Sequence, residues 1–288
     1  MSKPVSIGVL DLSDELVARL AAIYEVTTWR RRSELPPRPP DGRVAAASIG
    51  SGCDADIVIS AFPDDTALMN TVMESGGVLA LLANEAIHVT IGLHGRTMIE
   101  RISREHDRHG QSFVAAPLLL ASTPTHSAAA VLGGDSNAIA TIRPVFEAMD
   151  ISIVATCERP ADAALLAIAH SAMVGCAMEA IAEAFALVRK FDVDARVLCD
   201  VMSEALFAGT VYGPLSDAML ADAAGHLPSV SRGLQILDLA FAAATRTRVP
   251  LASVDACRDR LLSAIAHGEG DRPWTAVGRE QNRASGLP

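Results

Sequence analysis

Three features of the sequence predict an α/β protein with an all-helical second half. Over residues 1–158 short apolar runs alternate with helical patterns, one unbroken helical stretch follows from Arg159 to Phe191, and everything beyond it keeps helical periodicity. Strands that alternate with helices build a largely parallel sheet, covered on both faces by right-handed crossovers. The expectation is a doubly wound parallel sheet over residues 1–158 and an all-α domain over residues 159–288 that opens with the long helix.

The first strand is read at Val5 to Leu10, followed by a helix at Asp14 to Ile23 and a second strand at Glu25 to Trp29. Asp56 to Phe62 and Thr66 to Glu74 repeat the rhythm, and further strands fall at Ala86 to Ile91, Ser112 to Ala115, Ala128 to Leu132 and Ile151 to Ala155. Helices at Arg96 to His109 and Ser136 to Met149 lie between them, while the proline-rich run Glu34 to Gly42 reads as a surface connection. In the long stretch, Pro160 suits a first helical position, and Asp162 near the start and Arg189 and Lys190 near the end complement the helix dipole. Leu165, Ile168, Ala172, Met173, Cys176, Ala180, Ile181, Ala184, Phe185 and Val188 recur at the spacing of a buried face, with Glu179 and Glu183 on another. Such a helix is a rod of roughly 45 Å, long enough to act as a spine between two domains. Helical patterns at Val193 to Leu206, Leu215 to Ala223, Ser231 to Arg246, Leu251 to His267 and near Trp274 complete the second domain.

With 288 residues, 50% hydrophobic and 20% charged, the chain can bury the cores of two domains. A net charge of −10 argues against nucleic acid, whose binding needs a basic surface, and the one basic run, Arg30 to Arg32, is too short to serve as a footprint. Five widely spaced cysteines without a CxxC pair suit a reducing cytoplasm and suggest neither a disulfide framework nor a zinc site. No metal is expected. Nothing reads as a signal peptide, and outside the spine no apolar run reaches a membrane-spanning length, so the expectation is a cytoplasmic protein that engages no membrane.

A strand, a turn, a helix and a second strand ending in a polar residue form the layout of a dinucleotide-binding unit. Its turn departs from the G-x-G-x-x-G pattern, because Asp11, Ser13 and Leu16 stand where the three glycines would be. Those glycines make the tight turn, admit the pyrophosphate and let helix and strand pack closely. Asp11, Asp14 and Glu15 also place carboxylates at a helix N-terminus that would otherwise attract phosphate. Arg30, Arg31 and Arg32, at the end of the second strand, pull the other way: an acidic residue there selects NAD, whereas arginines accommodate a 2′-phosphate. A cofactor bound here would be NADP.

Together these segments resemble the β-hydroxyacid dehydrogenase family, the 3-hydroxyisobutyrate and 6-phosphogluconate dehydrogenases, and the imine reductases built on the same plan. The likeness runs nearly the whole chain. It is carried by YEVTTWRRR (Tyr24 to Arg32), DADIVISAFPDD (Asp54 to Asp65), GQSFVAAP (Gly110 to Pro117), VLGGD (Val131 to Asp135), EAFALVRKFDVD (Glu183 to Asp194) and HGEGDRPWTAV (His267 to Val277). The resemblance implies a Rossmann-like domain, an interdomain helix and an all-α domain, assembled as an intertwined homodimer with each active site between one subunit's cofactor and the other's helices. It also implies cofactor contacts at Leu12 and Ser13, Arg30 to Arg32, the loop Phe62, Pro63 and Asp64, and Thr90. The family's K-x-x-x-N on the long helix is replaced by Ala167 and Ser171, and imine reductases have an aspartate or tyrosine where Ala167 stands. The substrate loop S-G-G has become Leu118, Leu119 and Leu120, and the later K-D pair reads Leu237 and Asp238, so the pocket has turned apolar.

Reducing a carbonyl or imine needs a proton donor beside the cofactor. His170, nearly one turn beyond Ala167, is the first candidate, and Asp238, amid the apolar run Leu234 to Phe241, is the second. His88, His94, His106 and His109 lack metal-ligand spacing and read as surface or strand-end residues. Two functions follow: an NADP-dependent reductase of a C=N or C=O bond in a small, fairly apolar substrate, or a catalytically inactive relative serving as a homodimeric binding or scaffold protein. A third, non-redox use of His170 or Asp238 has no positive sign in the sequence.

Overall fold

The computed structural model describes residues 5–30, 44–45, 48–119, 128–202, 204, 212–222 and 227–287. The apolar runs of the first half pair as strands β1 (Ser6–Leu10), β2 (Glu25–Trp29), β3 (Val44–Ala45), β4 (Ile57–Ser60), β5 (Ile87–Thr90), β6 (Ser112–Ala115), β7 (Ala128–Gly133) and β8 (Ile151–Cys157). They form one sheet in the order β3-β2-β1-β4-β5-β6-β7-β8. The paired neighbours run parallel except β6 and β7, which meet antiparallel through Ala115 and Gly133. After β3 the chain returns past β1 to lay down β4 on its other side, so a topological switch point lies between β1 and β4. Ligands of open α/β sheets sit at such points, beyond the carboxyl ends of the strands.

Among the described residues six helices flank this sheet: α1 (Asp14–Ala21), α2 (Ile49–Cys53), α3 (Asp65–Met73), α4 (Val78–Leu81), α5 (Arg96–Arg108) and α6 (Ser136–Ala148). One core layer packs Val9, Ile59 and Val89 against Val17 and Leu20 of α1 and Ile142 and Phe146 of α6. The opposite layer packs Leu10, Val58 and Phe113 against Leu68 of α3, Val78 of α4 and Ile99 and Ile102 of α5. Adjacent strand residues thus serve opposite layers, which is why the strands read as continuous apolar runs. Burying each such large side chain contributes about 1.5–3 kcal/mol. Gly8 fixes how closely α2 sits on β1, since a Cβ there would lie 1.8 Å from the Gly52 carbonyl oxygen.

Helix α7 (Pro160–Arg189) follows, and the chain divides within it into two compact units, the first ending at Ala167 and the second starting at Ile168. The second unit continues through α8 (Ala195–Val201), α9 (Tyr212–Leu220), α10 (Val230–Thr247), α11 (Ala252–Ala266) and α12 (Val277–Ala284). Trp274, fully buried, organises its core. Gly175 of α7 and Gly233 of α10 abut the indole so closely that a Cβ on either would come within 2.8 Å of it. The buried face of α7 differs from the expected one: Met173 is 72% exposed, and Glu179, expected on a separate polar face, is buried against Arg260 at 2.7 Å. α7 is long and apolar enough to cross a membrane, yet 61% of its most apolar window is buried inside the protein, the mark of a core helix.

Candidate cofactor site

At the carboxyl end of β1 the chain turns through Asp11, whose φ is 59° and whose N–H donates to the Trp29 carbonyl at 3.0 Å. Aspartate tolerates this left-handed conformation better than most residues. The turn therefore keeps a shape that glycine would favour without the glycine. Leu12 is buried in the core, and Ser13, extended and exposed, precedes α1 without capping it through its side chain. Arg30 reaches over from the end of β2, donating to the Leu12 carbonyl at 3.3 Å and pairing with Asp14 at 2.6 Å. Glu15 pairs with Arg19 at 3.2 Å. Asp14 and Glu15 stand in the first turn of α1 as expected, and arginines partly neutralise them. Arg31 and Arg32 lie outside the described residues.

Beside this turn β4 ends, with the Ala61 N–H donating to the Leu10 carbonyl at 2.9 Å. The loop expected to meet the cofactor, Phe62, Pro63 and Asp64, follows. Phe62 is buried in the α3–α5 layer, and Asp64 caps α3 by accepting from the Ala67 N–H at 2.7 Å. Phe62 leaves only its backbone for a ligand, while Pro63 and Asp64 are exposed. Thr90 ends β5 in register with Ser60; it is fully buried and its Oγ1 has no hydrogen-bond partner among the described residues. An unsatisfied buried hydroxyl costs about 1–3 kcal/mol, a cost that a ligand atom at the strand end would relieve. The glycine-like turn, the helix start without a side-chain cap, Arg30 and the orphaned Thr90 hydroxyl all fit a dinucleotide.

The two proton-donor candidates lie in the second unit. His170, on α7, is half-buried; burial pulls its pKa below the ordinary histidine value, and its Nδ1 is buried without a partner among the described residues. Ala167, where the family lysine would stand, is fully buried. Asp238, on α10, does not have the apolar surroundings its sequence context suggested: its carboxylate is 51% exposed and pairs with Arg258 at 2.8 Å.

His88, His94 and His106 are all fully buried, correcting their reading as surface or strand-end residues. Two signals were present in the sequence. His88 interrupts an apolar strand, and His106 follows Ile99 and Ile102 at helical spacing on the buried face of α5. His94 Nδ1 faces Asp65 at 3.1 Å, and its Nε2 has no partner among the described residues. Among the described residues no group of three or more His, Cys, Asp or Glu side chains is placed to hold a metal. A cavity of about 590 Å3 lined by Asp135, Arg143, Cys157 and Glu158 lies at the ends of β7 and β8, away from the switch point.

A doubly wound sheet with such a turn at its switch point is the frame of a dinucleotide-binding domain. The family model for the NAD binding domain of 6-phosphogluconate dehydrogenase matches residues 14–157, and the chain belongs to that β-hydroxyacid dehydrogenase family. An uncharacterised oxidoreductase of Bacillus subtilis is 27% identical over 267 residues, covering 90% of this chain and 92% of its own length. A Mycobacterium tuberculosis 3-hydroxyisobutyrate dehydrogenase solved with L-serine shares the fold with a TM-score of 0.78 at 21% identity, over 96% of this chain and 99% of that one. An imine reductase from Pseudomonas sp. gives a TM-score of 0.58 at 20% identity, with the same coverage of 96% and 99%. The protein is an NAD(P)-dependent oxidoreductase.

Proposed function

We propose that this oxidoreductase prefers NADP and reduces a C=N or C=O bond of a small, fairly apolar substrate. The observation that carries the cofactor preference is Arg30, folded over the β1–α1 turn with its guanidinium on the Leu12 carbonyl and Asp14. In this fold the residue after β2 meets the ribose 2′ position, where a phosphate would compete with Asp14 for the guanidinium. Arg31 and Arg32 follow in sequence. The apolar substrate is supported by the leucines that replace the family's S-G-G loop and by Ala167 in place of its lysine.

The reduced cofactor supplies a hydride to the substrate carbon, and a proton must reach its oxygen or nitrogen. His170 is the proton donor in this reading, because Asp238 is committed to Arg258 at an exposed position. The proposal includes a cytoplasmic homodimer in which each site is completed by the second subunit. Replacing Arg30 by glutamate tests it: NADPH affinity should fall at least tenfold while NADH affinity changes little, the loss expected for a charge-assisted pair to phosphate. Equal loss for both nucleotides would remove the arginine from 2′-phosphate recognition.

A further inference from the structure

Four buried side chains lie in one hydrogen-bonded line beneath the carboxyl end of β4. Ser60 Oγ is 2.9 Å from His88 Nε2, His88 Nδ1 is 2.9 Å from His106 Nε2, and His106 Nδ1 is 3.0 Å from Gln111 Oε1. Gln111 closes the line, its Nε2 donating to the Leu79 and Leu82 carbonyls, both at 3.0 Å. Phe113 packs against both imidazoles, stacked on His106 and tilted on His88.

The chemistry of the closed end sets the direction of every bond. Two carbonyl oxygens can be served only by an amide NH2, so the Gln111 oxygen must face His106 and accept. His106 therefore carries a proton on Nδ1 and, as the neutral ring that its burial favours, accepts at Nε2 from His88 Nδ1–H. His88 Nε2 in turn accepts from the Ser60 hydroxyl, whose other acceptor, the Val89 carbonyl, is farther away at 3.4 Å. Both rings are neutral and every donor in the line is used. Burial holds both imidazole pKa values down, consistent with this state.

Ser60 is the last residue of β4, directly before the loop Ala61 to Asp64. Its carbonyl accepts from the Ile91 N–H at 2.9 Å, so the same residue ties together the ends of β4 and β5. We propose that His88 and His106 are positioning residues for cofactor binding: locked by Gln111 as Nδ1–H tautomers, they hold Ser60 and with it the loop that follows. An apolar trio of equal size would fill the same volume but would not fix the rotation of Ser60. The line thus links the cofactor loop to α5 and to the end of α4. This inference rests on the reading that the loop lies against the dinucleotide.

The test combines imidazole nitrogen NMR on 15N-histidine-labelled protein with NADPH titration of two Ser60 variants. Both rings should show the Nδ1–H tautomer, and an Nε2–H tautomer at either would overturn the proposal. Ser60→Ala should raise the NADPH dissociation constant roughly tenfold, the scale of one lost hydrogen bond, with little change in melting temperature. Ser60→Thr, which keeps the hydroxyl, should restore binding. Unchanged affinity in Ser60→Ala, while the wild type binds NADPH, refutes the positioning role alone. Failure of the wild type to bind any nicotinamide nucleotide refutes both this role and the proposed function.

Discussion

His106 shows how a single buried side chain carries consequences the sequence only hinted at. Burial lowers its pKa from 6.5 to about 4, and it lowers that of His88 well below the ordinary value, with the neighbouring His106 adding to the effect. Between those values the unfolded chain binds protons that the folded protein refuses, so stability is whole above pH 6.5 and is lost as the pH falls. For His106 the loss is on the order of 3 kcal/mol once pH 4 is reached. Asp222 and Glu280, whose pKa values are held below 3.8 and 4.5, give up their contributions only in more acidic solution, so between pH 6.5 and 5 the loss comes from the histidines, opposed by Glu179, whose pKa burial raises. Denaturant titrations at pH 7 and pH 5 should show a clear drop, and equal stability at both would contradict the neutral buried pair. His170 titrates in the same direction, with burial favouring its neutral form. If it donates the proton, turnover in the reducing direction should rise as the pH falls below 6.5, and His170→Ala should abolish that rise and lower kcat by about a hundredfold. A pH profile unchanged in the variant would remove His170 from the reaction. The histidines were hard to place because imidazole is at home both at surfaces and in satisfied cores, so residue type alone does not separate the two.

At the scale of elements, long periodic segments were legible and short ones were not. The strand at Glu25–Trp29 and the helix starting at Asp14 fall where apolar spacing puts them. α2 escaped notice because Ile49–Cys53 holds two glycines in five residues, so neither propensity nor periodicity marks it. Its reason is tertiary: Gly52 leaves room for Leu10 and Trp29, and Gly8 leaves room for the Gly52 carbonyl. β3 has only two residues, too few for a pattern, and the antiparallel meeting of β6 and β7 is invisible to alternation, which carries no strand direction. Asp64 shows how a loop residue can carry a local role that its motif does not announce. Placed by resemblance against the cofactor, it also caps α3 through its carboxylate. Asp64→Ala should cost about 1 kcal/mol of stability in denaturant unfolding and leave NADPH affinity within twofold, as lost caps do. A large loss of affinity without destabilisation would return Asp64 to the cofactor.

For the whole molecule, the order of strands and the long helix were readable because burial on both faces of a sheet and a thirty-residue apolar helix leave strong patterns. The cofactor site was readable only in outline. Its missing glycines suggested a lost function, whereas the turn persists because Asp11 adopts the left-handed conformation itself. Arg30 lies over that turn, and its pairing with Asp14, distant in sequence, could not be seen before the chain was folded. The proposal that these features support is binding of a nicotinamide dinucleotide at the β1–β4 switch point with a preference for the phosphorylated form. The most direct test is calorimetric titration of the wild-type protein with NADPH and NADH at low salt. The account predicts micromolar NADPH affinity with NADH at least tenfold weaker, as one or more arginine–phosphate pairs would give. Absence of binding by either nucleotide at millimolar concentration would contradict it.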